Sequence, residues 1–232
     1  MPVFRLPRAI VFPPPDQAEP DGWLAVGGDL RPERLLAAYR AGIFPWYSEG
    51  EPLLWWSPDP RFVLFTGELH VRDSLRRVIR SGRFEVTFNR DIRGVIEGCR
   101  TAPRRGAAGT WITPEMQEAY IALHAAGHAH SVEVWRDGRL AGGLYGVIVG
   151  RCFCGESMFA RERDASKVGF VRLVETLTAL GGPLVDCQVP SAHLAAFGAR
   201  AIPRAQFLAL LRELAAQPPL RLPPAPDEPV AR

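Results

Sequence analysis

The stretch RLAGGLYGVIVGRCFCGESMF (139–159) decides the fold, together with ASKVGFVRLVETLTALGG (165–182) and PLVDCQV (183–189), which follow it closely. The first segment predicts two strands with glycines at the bends, and the second predicts an amphipathic helix that Gly181 ends. The third is typical of a strand that is buried on both faces. Further strand and helix patterns surround this unit, namely FEVTFN (84–89), HSVEVWR (130–136), TPEMQEAYIALHAAG (113–127) and PRAQFLALLREL (203–214). We therefore predict a mixed α+β fold.

The first sixty residues differ in composition from the rest of the chain. They are rich in Pro, Gly and Trp and contain one clear helix, which begins at Pro32 and ends at about Ala41, before Gly42. At the other end, residues 217–229 hold six prolines and predict an extended tail without chemistry of its own. We expect a small N-terminal α/β domain (1–60), a mixed-sheet domain (61–217) and a Pro-rich tail (218–232).

The composition is that of a globular protein, since 47% of the 232 residues are hydrophobic and 23% are charged. No apolar run approaches the roughly 18–20 residues that a membrane-spanning helix needs, so we expect a soluble, cytoplasmic chain without a membrane partner. The sequence contains no CxxC, GxxxxGK[ST], GxGxxG, HExxH or GxSxG motif. We expect no cofactor, and we expect buried thiols at the four cysteines, Cys99, Cys152, Cys154 and Cys187.

Three histidines in HAAGHAH (124–130) are a weak candidate for a metal site. His124 and His128 are expected at the end of a helix, and His130 in the next strand, pointing elsewhere. No acidic residue stands at a ligand spacing from them. We therefore expect no metal.

A strongly basic segment begins after residue 70. Its arginines have helical spacing and predict one stripe along a helix, formed by Arg72, Arg76, Arg80 and Arg83, with Arg77 alongside. Residues 72–105 contain ten arginines and four acidic residues. Such a stripe suits contacts with nucleic-acid phosphates, and a solvated face in an arginine-rich protein is the alternative.

Two tryptophans and three polar residues are candidates for a site. Trp46, in GIFPWYS (42–48), and Trp111, in GTWIT (109–113), lie among turn-forming residues, where exposed rings can stack on unpaired bases. Burial in the core is the alternative for both rings. Glu156, Asp186 and Gln188 occur in apolar strands, where a polar side chain has to be hydrogen-bonded or functional because its unpaired burial is unfavourable.

Eight stretches carry a resemblance to a known family, in order and with tight spacing. They are GWLAVGGDL (22–30), AYRAGIFPWYS (38–48), LLWWSPDPR (53–61), AGTWIT (108–113), AYIALHAAGHAHSVEVWRDGRLAGGLYGV (119–147), FCGESMF (153–159), DASK (164–167) and VDCQV (185–189). Over about residues 10–212, the chain closely resembles the bacterial leucyl/phenylalanyl-tRNA–protein transferases.

The resemblance implies an enzyme that moves Leu or Phe, and less readily Met, from aminoacyl-tRNA to the α-amino group of proteins that begin with Arg or Lys. The product is marked for N-end-rule degradation. The resemblance also implies a monomer, and a larger domain with the N-acyltransferase (GNAT-like) fold.

The roles of individual residues follow from the same resemblance. Gln188 matches the position that accepts a proton from the attacking amine, Asp186 orients and polarises it, and Glu156 lies at the floor of the site. The two tryptophans hold the 3′-terminal adenosine of the tRNA, and the arginine stripe meets the acceptor stem. The pocket for the transferred side chain involves Leu144, Phe153, Met158, Leu173, Leu177 and Val185. Because an amide is a poor base and the ester is already activated, we expect Gln188 mainly to align the amine.

Two other functions remain open at this point. An acetyl-CoA-type N-acetyltransferase needs backbone donors for a pyrophosphate, and RLAGGL (139–144) matches the usual R/Q-x-x-G-x-G/A signal only in part. A non-catalytic RNA-binding module explains the arginines and tryptophans but leaves Asp186 and Gln188 unexplained. Lys167 is the only lysine, which is compatible with a need for a compact ammonium group and equally with chance.

Overall fold

The computed structural model describes residues 4–102 and 111–224. Within these ranges the chain forms two β-sheets with α-helices packed around them. The strands are β1 (Phe4–Leu6), β2 (Trp23–Gly27), β3 (Phe44–Pro45), β4 (Leu54–Trp56), β5 (Arg61–Phe65), β6 (Glu85–Phe88), β7 (Ala129–Arg136), β8 (Arg139–Val149), β9 (Cys152–Ala160), β10 (Leu184–Gln188) and β11 (Arg200–Ile202). The helices are α1 (Pro32–Arg40), α2 (Asp73–Arg80), α3 (Ile92–Thr101), α4 (Pro114–Ala125), α5 (Ala165–Ala179), α6 (Ala192–Ala195) and α7 (Arg204–Ala215).

The two sheets divide the chain near residue 60. The small sheet has the strand order β1-β2-β4-β3, and the large sheet has the order β11-β5-β10-β9-β8-β7-β6. In the large sheet, β9 and β10 run parallel to each other, whereas every other neighbouring pair is antiparallel. The helix α5 connects these two parallel strands, as a crossover connection requires. The predicted α+β fold is confirmed.

Apolar side chains cover both faces of the large sheet. Successive residues of β8 point to opposite faces, so Tyr145 belongs to one apolar cluster and Leu144 to the other. The cluster around Tyr145 includes side chains of α1, α3, α4 and α7 and also Trp55 of the small sheet. The cluster around Leu144 includes side chains of α2 and α5. The small sheet and the large sheet therefore share one core.

Several local predictions are confirmed. Gly42 and Gly181 follow the ends of α1 and α5 and have φ angles of +74° and +75°. Glycine is favoured at these positions because it adopts the left-handed conformation without strain. Thr113 caps α4, and its side chain accepts a hydrogen bond from the Met116 amide at 3.2 Å. All four cysteines are buried thiols.

Other features were missed or differ. The helix α3 was not predicted, although Asp91 caps it by accepting from the Gly94 amide at 2.8 Å, and the short strands β1 to β5 were not predicted either. The proline-rich tail is packed as far as it is described, since Leu220 and Leu222 are buried in the cluster around Leu144. Residues 225–232 of the predicted tail lie outside the described residues. No helix in the described ranges is long and apolar enough to cross a membrane.

Candidate active site

Irregularities in two neighbouring strands place the polar residues of the site. In β9, Glu156 is an extra residue without a partner in β8, which makes it a β-bulge. In β10 the extra residue is Cys187, and the next residue, Gln188, has a φ of +64°, a strained value for a residue other than glycine. The two strands pair with each other only as far as Cys154 and Asp186. Both bulges therefore lie at the same end of the parallel pair, which brings Glu156 and Gln188 together.

A chain of hydrogen bonds fixes these side chains. Gln188 Nε2 donates to Glu156 Oε1 at 2.7 Å, and the Tyr120 hydroxyl donates to Glu156 Oε2 at 2.7 Å. The hydroxyl of Tyr39 is hydrogen-bonded to the hydroxyl of Tyr120. In the described residues no hydrogen bond reaches Gln188 Oε1, so this oxygen is available as an acceptor at the cavity surface.

The environment of Glu156 changes its acidity. Burial, and to a smaller extent the negative charge of Asp186, raises the pKa of this carboxyl group from 4.5 to about 7, against the opposing effect of the hydrogen bonds that it accepts. A carboxyl group with a pKa near 7 is present in both protonation states at neutral pH. It can therefore take up and release a proton during a reaction. Tyr120 and Tyr39 stay neutral, because burial raises the pKa of each phenol well above its usual value.

Asp186 lies behind the site and is held by a buried arginine. Arg61 Nε and Nη2 lie 2.8 and 2.7 Å from the two oxygens of Asp186, and each side chain of the pair is 1% exposed. The guanidinium group lies between the rings of Phe44 and Phe207, 4.8 and 4.6 Å from their centroids. Asp186 Oδ1 also accepts a hydrogen bond from the backbone amide of Gln188 at 2.9 Å. Asp186 thus holds the backbone of Gln188, whereas the side-chain amide of that residue is held by Glu156.

A cavity of about 450 Å³ opens beside Glu156 and Gln188. Five of the six side chains predicted to form the pocket line it: Leu144, Phe153, Met158, Leu173 and Val185. The sixth, Leu177, does not line the cavity. Leu177 lies one helical turn beyond Leu173 in α5 and is buried in the apolar cluster around Leu144. Its predicted placement in the pocket was therefore wrong.

Sequence reasoning missed several lining residues. Phe170 precedes Leu173 by three positions on α5, and this helical spacing could have indicated it. His193 and Leu194, on the short helix α6, also line the cavity. Arg61, Tyr39 and Tyr120 were also missed, although all three lie within stretches that carry the family resemblance.

The two tryptophans border a smaller cleft of about 100 Å³, which Glu156, Gln188 and Val189 also line. These last three residues line the larger cavity as well, so the cleft and the cavity meet at the Glu156–Gln188 pair. Trp46 is 41% exposed and Trp111 is partly buried. Residues 109 and 110 of the GTWIT motif lie outside the described residues. The structure therefore brings the aromatic and polar candidates to one place.

The predicted arginine stripe is only partly realised. The helix α2 ends at Arg80, and Gly82, with a φ of +66°, turns the chain before Arg83. The prediction that Arg83 lies on the helix was therefore wrong. Its side chain lies 3.0 Å from that of Glu162. Arg76 donates to the backbone oxygen of Val71. The other predicted members of the stripe are Arg72, Arg77 and Arg80. No residue of the stripe lines the cavity or the cleft beside Glu156 and Gln188.

The histidine prediction was wrong in one respect. The rings of His124 and His130 lie 6.5 Å apart, so His130 does not point away from the helix end. Its Nδ1 lies 3.1 Å from Asn89 Oδ1, and burial, together with the neighbouring histidines, lowers the pKa of His130 to about 4. In the described ranges no three His, Cys, Asp or Glu side chains are placed to hold a metal ion.

Comparison with known proteins gives consistent matches over nearly the whole chain. Residues 63–212 match the family model of leucyl/phenylalanyl-tRNA protein transferase, and residues 28–59 match that of its N-terminal domain. The leucyl/phenylalanyl-tRNA–protein transferase of Anaeromyxobacter sp. (strain Fw109-5) is 59% identical over 221 residues, which are 95% of this chain and 94% of that protein. The protein of the same name from Stutzerimonas stutzeri (strain A1501) is 63% identical over 198 residues, 84% of this chain and 87% of that protein.

Solved structures give a more distant match. A GCN5-related N-acetyltransferase from Kribbella flavida is 10% identical, with a TM-score of 0.39, and the match covers 71% of this chain and 58% of that chain. The structure of L-PGS from Bacillus licheniformis is 9% identical, with a TM-score of 0.40, and the match covers 69% of this chain and 51% of that chain.

Proposed function

Because this chain belongs to the leucyl/phenylalanyl-tRNA protein transferases, a family of aminoacyltransferases, we propose that it moves Leu or Phe, and less readily Met, from aminoacyl-tRNA to proteins that begin with Arg or Lys. The accepting group is the α-amino group of that first residue. The product is marked for N-end-rule degradation. One observation carries the proposal: an apolar cavity and a tryptophan-lined cleft meet at the Glu156–Gln188 pair.

The donor fits this arrangement in two parts. The Leu or Phe side chain lies in the apolar cavity, where burial of its surface contributes about 25 cal/mol per Å². The terminal adenine stacks on Trp46 and Trp111 in the cleft, and such stacking contributes roughly 1–3 kcal/mol per base. The ester carbonyl then lies where the two spaces meet, beside Gln188.

The reaction needs few catalytic groups. An α-amino group has a pKa of about 7.7–8.0, so roughly a tenth of it is deprotonated at neutral pH, and the ester is already activated. Gln188 Oε1 accepts a hydrogen bond from the amine and aligns it, because Gln188 Nε2 is already bonded to Glu156. As the amine attacks the ester carbon, a C–N bond forms and Glu156 takes the proton. The bond from that carbon to the ribose oxygen then breaks, and this oxygen receives the proton.

Arg61 and Asp186 act at a distance from the substrates. Both are buried, so we assign them a positioning role: the ion pair holds the Gln188 backbone in its left-handed conformation through the 2.9 Å hydrogen bond from the Gln188 amide. This geometry directs the Gln188 side chain towards Glu156.

The test is transfer of labelled leucine from charged tRNA to a peptide that begins with Arg, with phenylalanyl and methionyl donors in parallel. We expect product with the Leu and Phe donors and less with the Met donor. Two control peptides should give no product: the Arg peptide acetylated at its α-amino group, and a peptide of otherwise identical sequence that begins with Ala. Absence of transfer from all three donors, or acetylation of the peptide by acetyl-CoA, would contradict the proposal.

A further inference from the structure

A hydrogen-bonded pair of tyrosines connects Glu156 with the N-terminal part of the chain. Tyr39 lies in the last turn of α1 and Tyr120 lies in α4, and the two residues are 1% and 0% exposed. The hydroxyl of Tyr39 is bonded to that of Tyr120, and Tyr120 is bonded to Glu156 Oε2. Neither phenol lines the cavity or the cleft, so any effect on the reaction has to pass through Glu156.

The direction of these bonds follows from the number of hydrogens. A phenol carries one O–H group, and that of Tyr120 is donated to Glu156. The bond between the two hydroxyls therefore uses the hydrogen of Tyr39, and Tyr120 accepts it. Consecutive hydrogen bonds polarise one another. Tyr39 thus strengthens the bond that Tyr120 donates to the carboxylate.

This arrangement favours the ionised form of Glu156, because donors stabilise a carboxylate more than its protonated acid. Burial raises the pKa of Glu156, and the hydrogen bonds from Tyr120, Tyr39 and Gln188 oppose this effect. The two hydroxyls therefore keep a larger fraction of Glu156 ionised at neutral pH. Only the ionised form can take the proton of the acceptor amine.

The other groups nearby do not supply this effect. Asp186 is negative, so it favours the protonated form of Glu156, and it is paired with the buried Arg61. Tyr145 packs against the ring of Tyr120, with the ring centroids 5.3 Å apart. The groups around Glu156 and Tyr120 are Tyr39 of α1, Arg61 of β5, Tyr145 of β8, and Asp186 and Gln188 of β10.

The end of α1 reaches the site by a second route. The backbone oxygen of Gly42, just after α1, accepts a hydrogen bond from Arg61 Nη1 at 3.2 Å. Arg61 holds Asp186, and Asp186 holds the backbone of Gln188. Residues 39–42 are therefore tied to both polar side chains at which the cavity and the cleft meet.

We propose that Tyr120 is a positioning residue for the transfer reaction and that Tyr39 acts through it, so that the N-terminal part of the chain controls the proton acceptor of the site. The inference rests on the proposed function, in which Glu156 takes the proton of the attacking amine. The two hydroxyls hold the carboxylate in place and favour the form that can accept this proton.

The test is the single-turnover rate of leucine transfer, at saturating donor and acceptor, between pH 6.5 and 8.5. The variants are Tyr120→Phe, Tyr39→Phe and the control Tyr47→Phe. Because the acceptor amine titrates in this range for every variant, each rate is divided by the wild-type rate at the same pH. Tyr47 is a matched control, since it is also buried and its hydroxyl is bonded to Thr113 Oγ1 at 3.1 Å.

A hydrogen bond donated to a carboxylate changes its ionisation equilibrium by about tenfold or more. Since the pKa of Glu156 is about 7, loss of the bond from Tyr120 should lower the ionised fraction at pH 7 from about one half to about one tenth. We therefore expect Tyr120→Phe to be about fivefold slower than the wild type at pH 7 and within about twofold of it at pH 8.5. Tyr39→Phe should be about twofold slower at pH 7 and recover in the same way, because it loses only the polarisation of the bond. The ratio for Tyr47→Phe should not change with pH.

The same tyrosine substitutions in a Glu156→Gln background separate positioning from a merely structural role. Without an ionisable group there, the ratio for each tyrosine variant to Glu156→Gln alone should be the same at every pH. A ratio for Tyr120→Phe that does not change with pH, or a change with pH that persists in the Glu156→Gln background, would overturn the proposal. A wild-type rate for Tyr39→Phe at pH 7 would overturn the role of Tyr39.

Two further outcomes are read separately. Urea unfolding at each pH shows whether the variants fold, and if Tyr120→Phe does not, the pH profile of Tyr39→Phe decides by the same criterion. Absence of transfer by the wild type contradicts the proposed function itself.

Discussion

Replacing Glu156 with Gln should stabilise the protein at alkaline pH while impairing transfer. The pKa of Glu156 is raised by burial from 4.5 to about 7. Because its folded-state pKa lies above its unfolded-state value, ionisation of this group opposes folding. Stability is lost progressively as the pH rises from about 4.5 to 7. A shift of this size corresponds to roughly 3 kcal/mol above pH 7, at about 1.4 kcal/mol for each pKa unit.

The hydrogen-bond network can accept the amide. Its oxygen can accept from Gln188 Nε2, as Glu156 Oε1 does now. Its NH₂ group can donate to the Tyr120 hydroxyl, which can then donate to Tyr39. The amide oxygen and one amide hydrogen thus replace the two hydrogen bonds of the carboxylate, and the variant removes the ionisable group.

The assay is urea unfolding of wild type and Glu156→Gln between pH 4.5 and 9. We expect the two to be similar near pH 4.5 and the variant to be more stable by roughly 3 kcal/mol at pH 8. Glu118→Gln is the control, because an exposed partner, Arg93, lowers the pKa of Glu118, so its replacement should give no gain at pH 8. A difference that does not change with pH, or a less stable variant at pH 8, would refute the reasoning. Single-turnover transfer should also slow in Glu156→Gln.

Three further predictions concern other parts of the site. Arg61→Met should cost about 3–5 kcal/mol in urea unfolding, because it leaves the buried Asp186 carboxylate without its partner, and a variant as stable as the wild type would contradict this. Gln188→Ala should lower the single-turnover rate more than donor affinity, whereas Trp111→Ala should weaken donor binding by about 1–3 kcal/mol; rates and tRNA affinities measured for both would show the reverse pattern if the roles are wrong. Leu173→Ala should destabilise the fold by about 2–5 kcal/mol and, because it enlarges the cavity, raise the ratio of kcat/KM for the Phe donor to kcat/KM for the Leu donor. Competition between the two donors measures this ratio, and an unchanged ratio would show that Leu173 does not form the specificity pocket.

The site was predictable from the sequence to different degrees. Glu156, Asp186 and Gln188 stood out because polar residues in apolar strands need partners, and the structure brings them together. The contacts between them were not predictable. Asp186 reaches the backbone amide of Gln188 rather than its side chain, because bulges in β9 and β10 redirect the chain there. A bulge adds one residue to a strand pattern and leaves no clear periodic signal.

The sequence by itself determined the class of fold, most helix positions and the strands β6 to β10, since periodicity, Thr113 at the start of α4 and glycines such as Gly181 act through neighbouring residues. Only the tertiary structure decided which distant residues meet. Arg61 and Asp186 are 125 positions apart and form the ion pair behind the site, and the two linked tyrosines are 81 positions apart. Such contacts depend on strand order and helix packing, which a local pattern does not encode. The same reason explains why Lys167 of α5, and Arg163 just before that helix, line one cavity with Arg72, a neighbour that no spacing in the chain indicates.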